Sequence, residues 1–143
     1  RGSGANYDAA LASVVEIESG AILAELQVGG EPEGVTISPN GSWVYVTSEN
    51  DNQVSVIDTT ALEVIAVFAV GARPRSSTFS PASTRAYVTA ENGGTVSVVD
   101  TSTHVVIDTV ELTGENVRPM DAKVSPDGAR LYVSTGRGRL PPD

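Results

Sequence analysis

The sequence contains no cysteine, a single histidine and a single lysine, and aromatic residues make up only 5% of it. Without cysteine, the chain has no disulfide framework, no thiolate metal site and no thiol nucleophile. No apolar run approaches the roughly 18 residues that a membrane span needs. These absences predict a chain without a membrane span that is stabilised by something other than cross-links.

Basic residues are also scarce, with nine Lys and Arg against 18 Asp and Glu, a formal net charge of −9. Such a charge repels nucleic-acid phosphates, so a nucleic-acid partner is not expected. The imbalance is confined to one half of the chain. Residues 1–71 carry ten acidic residues and one basic residue, whereas residues 72–143 carry eight of each.

A sequence repeat runs through the chain. Three four-residue segments follow one another at a spacing of 42 residues: Ser13-Val14-Val15-Glu16, Ser55-Val56-Ile57-Asp58 and Ser97-Val98-Val99-Asp100. The dipeptides Ser38-Pro39, Ser80-Pro81 and Ser125-Pro126 recur as well, the last after three additional residues within 113–118. A fixed period of this length is typical of repeat architectures.

Within one period, hydrophobicity alternates every second residue between turn residues, which indicates strands rather than helices. We predict four strands per period: A at 34–38, B at Trp43–Ser48, C at Gln53–Asp58 and D at 63–70. Four antiparallel strands in about 42 residues form one blade of an all-β β-propeller. A β-sandwich with chance similarity is the alternative, and the spacing and turn chemistry shared by three copies argue against it.

The turn between strands A and B ends in Gly41, Ser83 and Gly128 in the three copies. Glycine at this position suggests a positive φ, which costs a residue with a side chain about 1 kcal/mol. We therefore predict that Ser83 is strained and that Ser83→Gly stabilises the protein.

The segments Tyr45-Val46-Thr47, Tyr87-Val88-Thr89 and Tyr132-Val133-Ser134, with the strands Val54 to Thr59 and Val96 to Thr101, resemble the YVTN β-propeller repeat. The resemblance covers residues 12 to about 135. It implies a periplasmic, secreted or cell-surface protein of the surface-layer type, and the fold has lactonases and proteins of quinone-dependent oxidation among its relatives. A ring of this family usually has about seven blades.

The predicted organisation is an N-terminal segment at 1–11, propeller repeats at 12–138 and a C-terminal tail at 139–143. The repeats comprise strands C and D, two full blades, then strands A and B, which is three blades' worth. Since closed propellers have at least four blades, we expect two chains to close one six-bladed ring as a homodimer. The alternative is a truncated piece of a seven-bladed propeller.

Strand parity places the links from D to A and from B to C on one face of the ring. This face is the candidate binding rim, for a protein, peptide or glycan, and its charged residues are Glu31, Glu33, Glu49, Asp51, Arg73, Arg75, Arg118 and Arg137. Ordinary solubilising charge is the alternative interpretation. His104 falls in a turn on the opposite face, where a solvated side chain is expected.

No catalytic, metal or cofactor site is predicted, because no second ligand or base accompanies His104 and no nucleophile motif occurs. The sequence therefore favours a non-catalytic binding or scaffold propeller that assembles by completing blades between chains. A lactonase-like enzyme and a fragment without its own activity are the alternatives.

Overall fold

The computed structural model describes residues 10–137, which form twelve β-strands. Nothing in this range forms a helix that could cross a membrane. The strands are β1 (Leu11–Val15), β2 (Ile22–Gln27), β3 (Pro32–Ile37), β4 (Trp43–Ser48), β5 (Gln53–Asp58), β6 (Glu63–Ala69), β7 (Pro74–Phe79), β8 (Arg85–Ala90), β9 (Thr95–Asp100), β10 (Val105–Glu111), β11 (Val117–Val124) and β12 (Leu131–Arg137).

The strands form four antiparallel sheets in chain order. Two sheets are complete: blade I comprises β3 to β6 and blade II comprises β7 to β10. Each end of the arc is a two-stranded sheet, the first half-blade (β1, β2) and the last half-blade (β11, β12). This order confirms the predicted succession of strands C and D, two full blades, and strands A and B.

Strands B and C of blade I have the predicted bounds, whereas strand A begins earlier, at Pro32, and strand D ends at Ala69. Strand A can begin at a proline because the first residue of a strand needs no donated ladder hydrogen bond. A bulge between Pro32 and Gly34 then resets the register. Strand β1 begins at Leu11, and the predicted tail at 139–143 lies outside the described residues.

Successive sheets contact one another mainly through their inner strands, β3 with β7 and β7 with β11, and barely through the outer strands. Neighbouring sheets therefore lie closest at their inner strands and diverge outwards, which is the arrangement of blades in a propeller. The core lies between the blades. Tyr45, Val54 and Val56 of blade I pack against Phe79 and Val88 of blade II.

The A to B turn has the predicted geometry in all three copies, with φ of 75° at Gly41, 61° at Ser83 and 76° at Gly128. Ser83 is buried, and its Oγ accepts a hydrogen bond from the Asn40 N–H of blade I at 3.0 Å. The serine is therefore strained as predicted, but its side chain also joins two blades.

Candidate functional site

An arginine–glutamate pair joins blade I to blade II on the predicted rim. The Arg73 side chain, just before β7, forms an ion pair with Glu49, just after β4. Glu49 is only 8% exposed, so its charge depends on this partner. A second contact joins the same two loops, because the Asn52 side chain accepts a hydrogen bond from the Arg73 N–H at 2.9 Å.

The same pairing recurs one blade later. Glu91 is the repeat equivalent of Glu49, and its Oε1 accepts hydrogen bonds from Arg118 Nη2 at 2.9 Å and Nε at 3.1 Å. Its Oε2 lies 3.4 Å from both Arg73 and Arg75. Glu91 is 6% exposed and receives positive charge from Arg73 and Arg75, at the start of blade II, and from Arg118 of the last half-blade. The sequence-based site omitted Glu91, although its equivalence to Glu49 in the repeat could have identified it.

Glu33, in β3 of blade I, also belongs to this network. Its interaction with the neighbouring carboxyl of Glu49 raises the pKa of Glu33. Desolvation adds to the rise, and the Arg75 charge opposes it. The structure thus brings together five of the eight predicted rim residues and links most of their charges to one another.

The other three predicted rim residues are placed differently. Asp51 accepts a hydrogen bond from the Gly30 N–H at 2.7 Å and so joins the β4–β5 loop to the loop before β3. Glu31 has a positive φ of 49° in the turn before β3. Arg137 ends β12, opposite Val117, and its side chain lies outside the described residues.

His104 is not the solvated side chain that was expected. Its Nδ1 lies 2.6 Å from the Tyr45 hydroxyl, and its ring meets Trp43 edge-on at a centroid distance of 5.1 Å. Burial raises the pKa of Tyr45, so the phenol stays protonated and can donate to Nδ1 of a neutral imidazole. Burial correspondingly lowers the pKa of His104. His104 of blade II therefore contacts Tyr45 and Trp43 of blade I and helps to join the two blades.

The leading face of a sheet, which points towards the next sheet along the chain, carries an equivalent tyrosine in each copy. Tyr45 is fully buried, Tyr87 is half-buried, and Tyr132 is 62% exposed. The exposure of each tyrosine depends on the sheet in front of it. Tyr45 faces a full blade, Tyr87 faces a half-blade, and Tyr132 faces no sheet within the described residues. The leading face of the last half-blade is therefore uncovered.

The trailing face, which points towards the preceding sheet, shows the same contrast. Phe79 of blade II is 5% exposed under blade I, whereas its equivalent Ile37 of blade I is 59% exposed. Val35 is 69% exposed, and its equivalent Ser77 is buried. Among the described residues, the first half-blade covers only the outer part of blade I and leaves an apolar surface on the inner strand exposed.

Two grooves accompany these uncovered faces. The first groove, of about 500 Å³, lies between β1 and the trailing face of blade I, with Val14, Val35 and Ile37 in its lining. The second groove, of about 320 Å³, lies between β12 and the leading face of blade II, with Tyr87, Val98 and Val133 in its lining. Each groove lies where a half-blade lacks its other two strands.

No protein-family model matches the chain, and no curated protein matches it. Among solved structures, hydrazine synthase from Kuenenia stuttgartiensis is similar with a TM-score of 0.80 and 25% identity, covering 86% of this chain and 35% of that one. Dihydro-heme d1 dehydrogenase NirN, in complex with DHE, has a TM-score of 0.76 and 18% identity, covering 86% of this chain and 27% of that one. The chain spans about a third of the length of these structures or less. With its four wedge-shaped antiparallel sheets, the described chain is therefore an arc of a β-propeller.

Proposed function

We propose that this protein is a non-catalytic β-propeller scaffold that assembles by completing blades between chains. The uncovered pair of faces carries the proposal: Tyr132 and Ile37 are 62% and 59% exposed at positions whose internal equivalents, Tyr45 and Phe79, are buried against each other. Exposed apolar surface of this kind marks an interaction site. Within the part of the chain that the structure describes, β1 and β12 are each paired on one side only, so their other edges beside these faces offer backbone groups for strand addition.

The placement of the titratable groups supports a non-catalytic role. The buried glutamates Glu49 and Glu91 are occupied by arginines that join blades, and His104 is occupied by Tyr45. Hydrazine synthase and NirN are longer proteins, of which this chain covers 35% and 27%. A lactonase-like activity would need an acid or base at the rim that is not engaged in such a pair.

The rim is the proposed surface for a protein, peptide or glycan ligand. The Arg73 and Arg118 side chains are each 45% exposed there, so they can meet an acidic group without leaving their glutamates. The resemblance to the YVTN repeat supports a periplasmic, secreted or cell-surface location for this scaffold.

Light scattering across a concentration series tests the assembly. We expect a discrete oligomer of two chains that Tyr132→Ser weakens. Burial of one large apolar side chain contributes about 2 kcal/mol, and a two-fold dimer has two such contacts, so the dimer Kd should rise by about three orders of magnitude.

The matched control is Ile107→Ser, which changes a residue of similar exposure, 52%, on the outer strand β10 and away from both grooves. It should leave the mass unchanged, and circular dichroism should show both variants folded, because both side chains are largely exposed in the single chain. A concentration-independent monomer, or equal effects of the two variants, would refute the proposed assembly and favour a piece of a longer propeller.

A further inference from the structure

The internal contacts between blades follow one rule. A tyrosine of strand B packs on the last residue of strand A in the next sheet: Tyr45 lies 4.7 Å from Phe79, centroid to centroid. In the next copy, Tyr87 and Val124 line the second groove together. The third tyrosine, Tyr132, has no such partner among the described residues. Ile37, the equivalent of Phe79 and Val124, is the exposed residue at the other end of the arc.

The strand register repeats with the same regularity. In both full blades strand B pairs with strand C in one register, Tyr45 opposite Val56 and Tyr87 opposite Val98. The repeat equivalents of these residues would place Tyr132 of β12 opposite Val14 of β1. Among the described residues these two strands belong to different sheets, and a second molecule can supply this pairing.

Charge supports that register. Arg85 lies opposite Asp100 in blade II, with their side chains 3.6 Å apart. The equivalent residues on the two free edges are Arg130 and Glu16, which again have opposite charge. The junction would also set unlike halves of the chain against each other, because the half with β12 carries eight basic and eight acidic residues whereas the half with β1 is strongly acidic.

The grooves match the two half-blades. The first groove lies beside strands C and D and lacks strands A and B, whereas the second groove lies beside strands A and B and lacks strands C and D. The exposed Val15, at 50%, supports this fit, since its equivalents Ile57 and Val99 are buried against a preceding sheet. The two half-blades are therefore complementary: strands A and B at the end of one chain can complete strands C and D at the start of another.

Resting on the assembly proposed above, we propose that the occupant of both grooves is a second copy of this chain, with β12 antiparallel to the partner's β1 and Tyr132 opposite the partner's Val14. Tyr132 then packs on the partner's Ile37, and Arg130 lies beside the partner's Glu16. Two such junctions related by a two-fold axis close a ring of six blades, within the range of about four to eight found in propellers.

Site-specific cross-linking tests the register, because the chain has no cysteine of its own. The internal pairs Val46 with Ser55 and Val88 with Ser97 lie directly opposite each other, and their equivalents across the junction are Val133 and Ser13. We expect Ser13→Cys/Val133→Cys to oxidise to a covalent two-chain species that reductant reverses. The matched control, Ser13→Cys/Ser134→Cys, is slipped by one residue and puts the thiols on opposite sheet faces, so it should not cross-link.

A charge-reversal cycle tests the same junction without altering the core. Arg130→Glu should raise the dimer Kd by roughly tenfold, and Glu16→Arg in the same chain should restore it, as for an exposed ion pair present at two junctions. Circular dichroism confirms folding of each variant.

The outcomes separate this inference from the assembly on which it rests. A two-chain mass by light scattering together with equal cross-linking of both cysteine pairs, or none, would overturn the register while leaving the assembly intact. A ladder of covalent species longer than two chains would overturn the closed ring. A monomeric unmodified chain would overturn both proposals.

Discussion

Ser83 offers a test in which two opposing contributions have similar size. Its backbone is held at φ 61°, a conformation that costs a residue with a side chain about 1 kcal/mol relative to glycine. Its Oγ accepts a hydrogen bond from the Asn40 N–H, and such a bond contributes about 0.5 to 1.5 kcal/mol. The structure thus changes the expectation from the sequence, which predicted that Ser83→Gly would be stabilising.

Two substitutions separate the strain from the hydrogen bond. Ser83→Ala removes the hydroxyl and keeps the strain, so it should lower the free energy of unfolding by about 1 kcal/mol. Ser83→Gly removes both, so its net effect should stay within about 0.5 kcal/mol of wild type. The free energy of unfolding of the glycine variant should therefore exceed that of the alanine variant by about 1 kcal/mol, which is the cost of the positive φ.

The assay is urea unfolding followed by circular dichroism at one fixed protein concentration, because assembly would otherwise shift the apparent stability. Gly128→Ser is the mirror control: its φ is 76°, and a Cβ there meets only the Pro81 ring at 3.5 Å. Gly128→Ser adds the strain of a positive φ, and its hydroxyl faces Ala82, the equivalent of Asn40, as a hydrogen-bond acceptor. The two effects oppose each other, so we expect little net change in the free energy of unfolding. Equal stability of Ser83→Ala and Ser83→Gly would refute the strain, and a full 1 kcal/mol gain in Ser83→Gly would refute the role of the hydrogen bond.

Two further predictions concern the contacts between blades. Burial lowers the pKa of His104, so the unfolded chain binds the proton first as the pH falls below about 6.5, and stability declines from there towards the folded-state pKa. In His104→Asn this loss of stability should be absent. The measurement compares the fall in the free energy of unfolding between about pH 7 and 5.5 in the variant and in wild type. Glu91→Gln should lower the free energy of unfolding by about 1 to 3 kcal/mol, because the Arg118 guanidinium loses its charged acceptor. The exposed Glu63→Gln is its control, and equal urea midpoints for the two variants would contradict the role of the ion pair.

Features with a local cause could be predicted from the sequence. The bounds of β4 and β5 follow from alternating hydrophobicity between turn residues, and the positive φ at Ser83 follows from glycine in the equivalent turns. Strand A was predicted to begin at residue 34, whereas it begins at Pro32. In the sheet, a proline is tolerated at the first position of the strand and a bulge accommodates the change of register.

Contacts between blades could be predicted only in part. Strand parity predicted which links lie on one face, and five of the eight predicted rim residues lie together in the structure. Which charges pair there was not predicted, and Glu91 was missed, because an ion pair depends on side chains about 27 residues apart, as for Arg118 and Glu91. His104 looked solvated in its turn, and only the packing of blade II on blade I places its ring against Tyr45 and Trp43.

The sequence by itself determined the repeat, the four-stranded blade, the turn conformations and the order of half-blade, two blades and half-blade, because each depends on residues close together in the chain. The tertiary structure decided which equivalent residues are buried. Tyr45, Tyr87 and Tyr132 occupy the same position in three nearly identical strands, yet they range from buried to 62% exposed. The burial of each is set by the sheet in front of it, and residues distant in the chain supply that sheet.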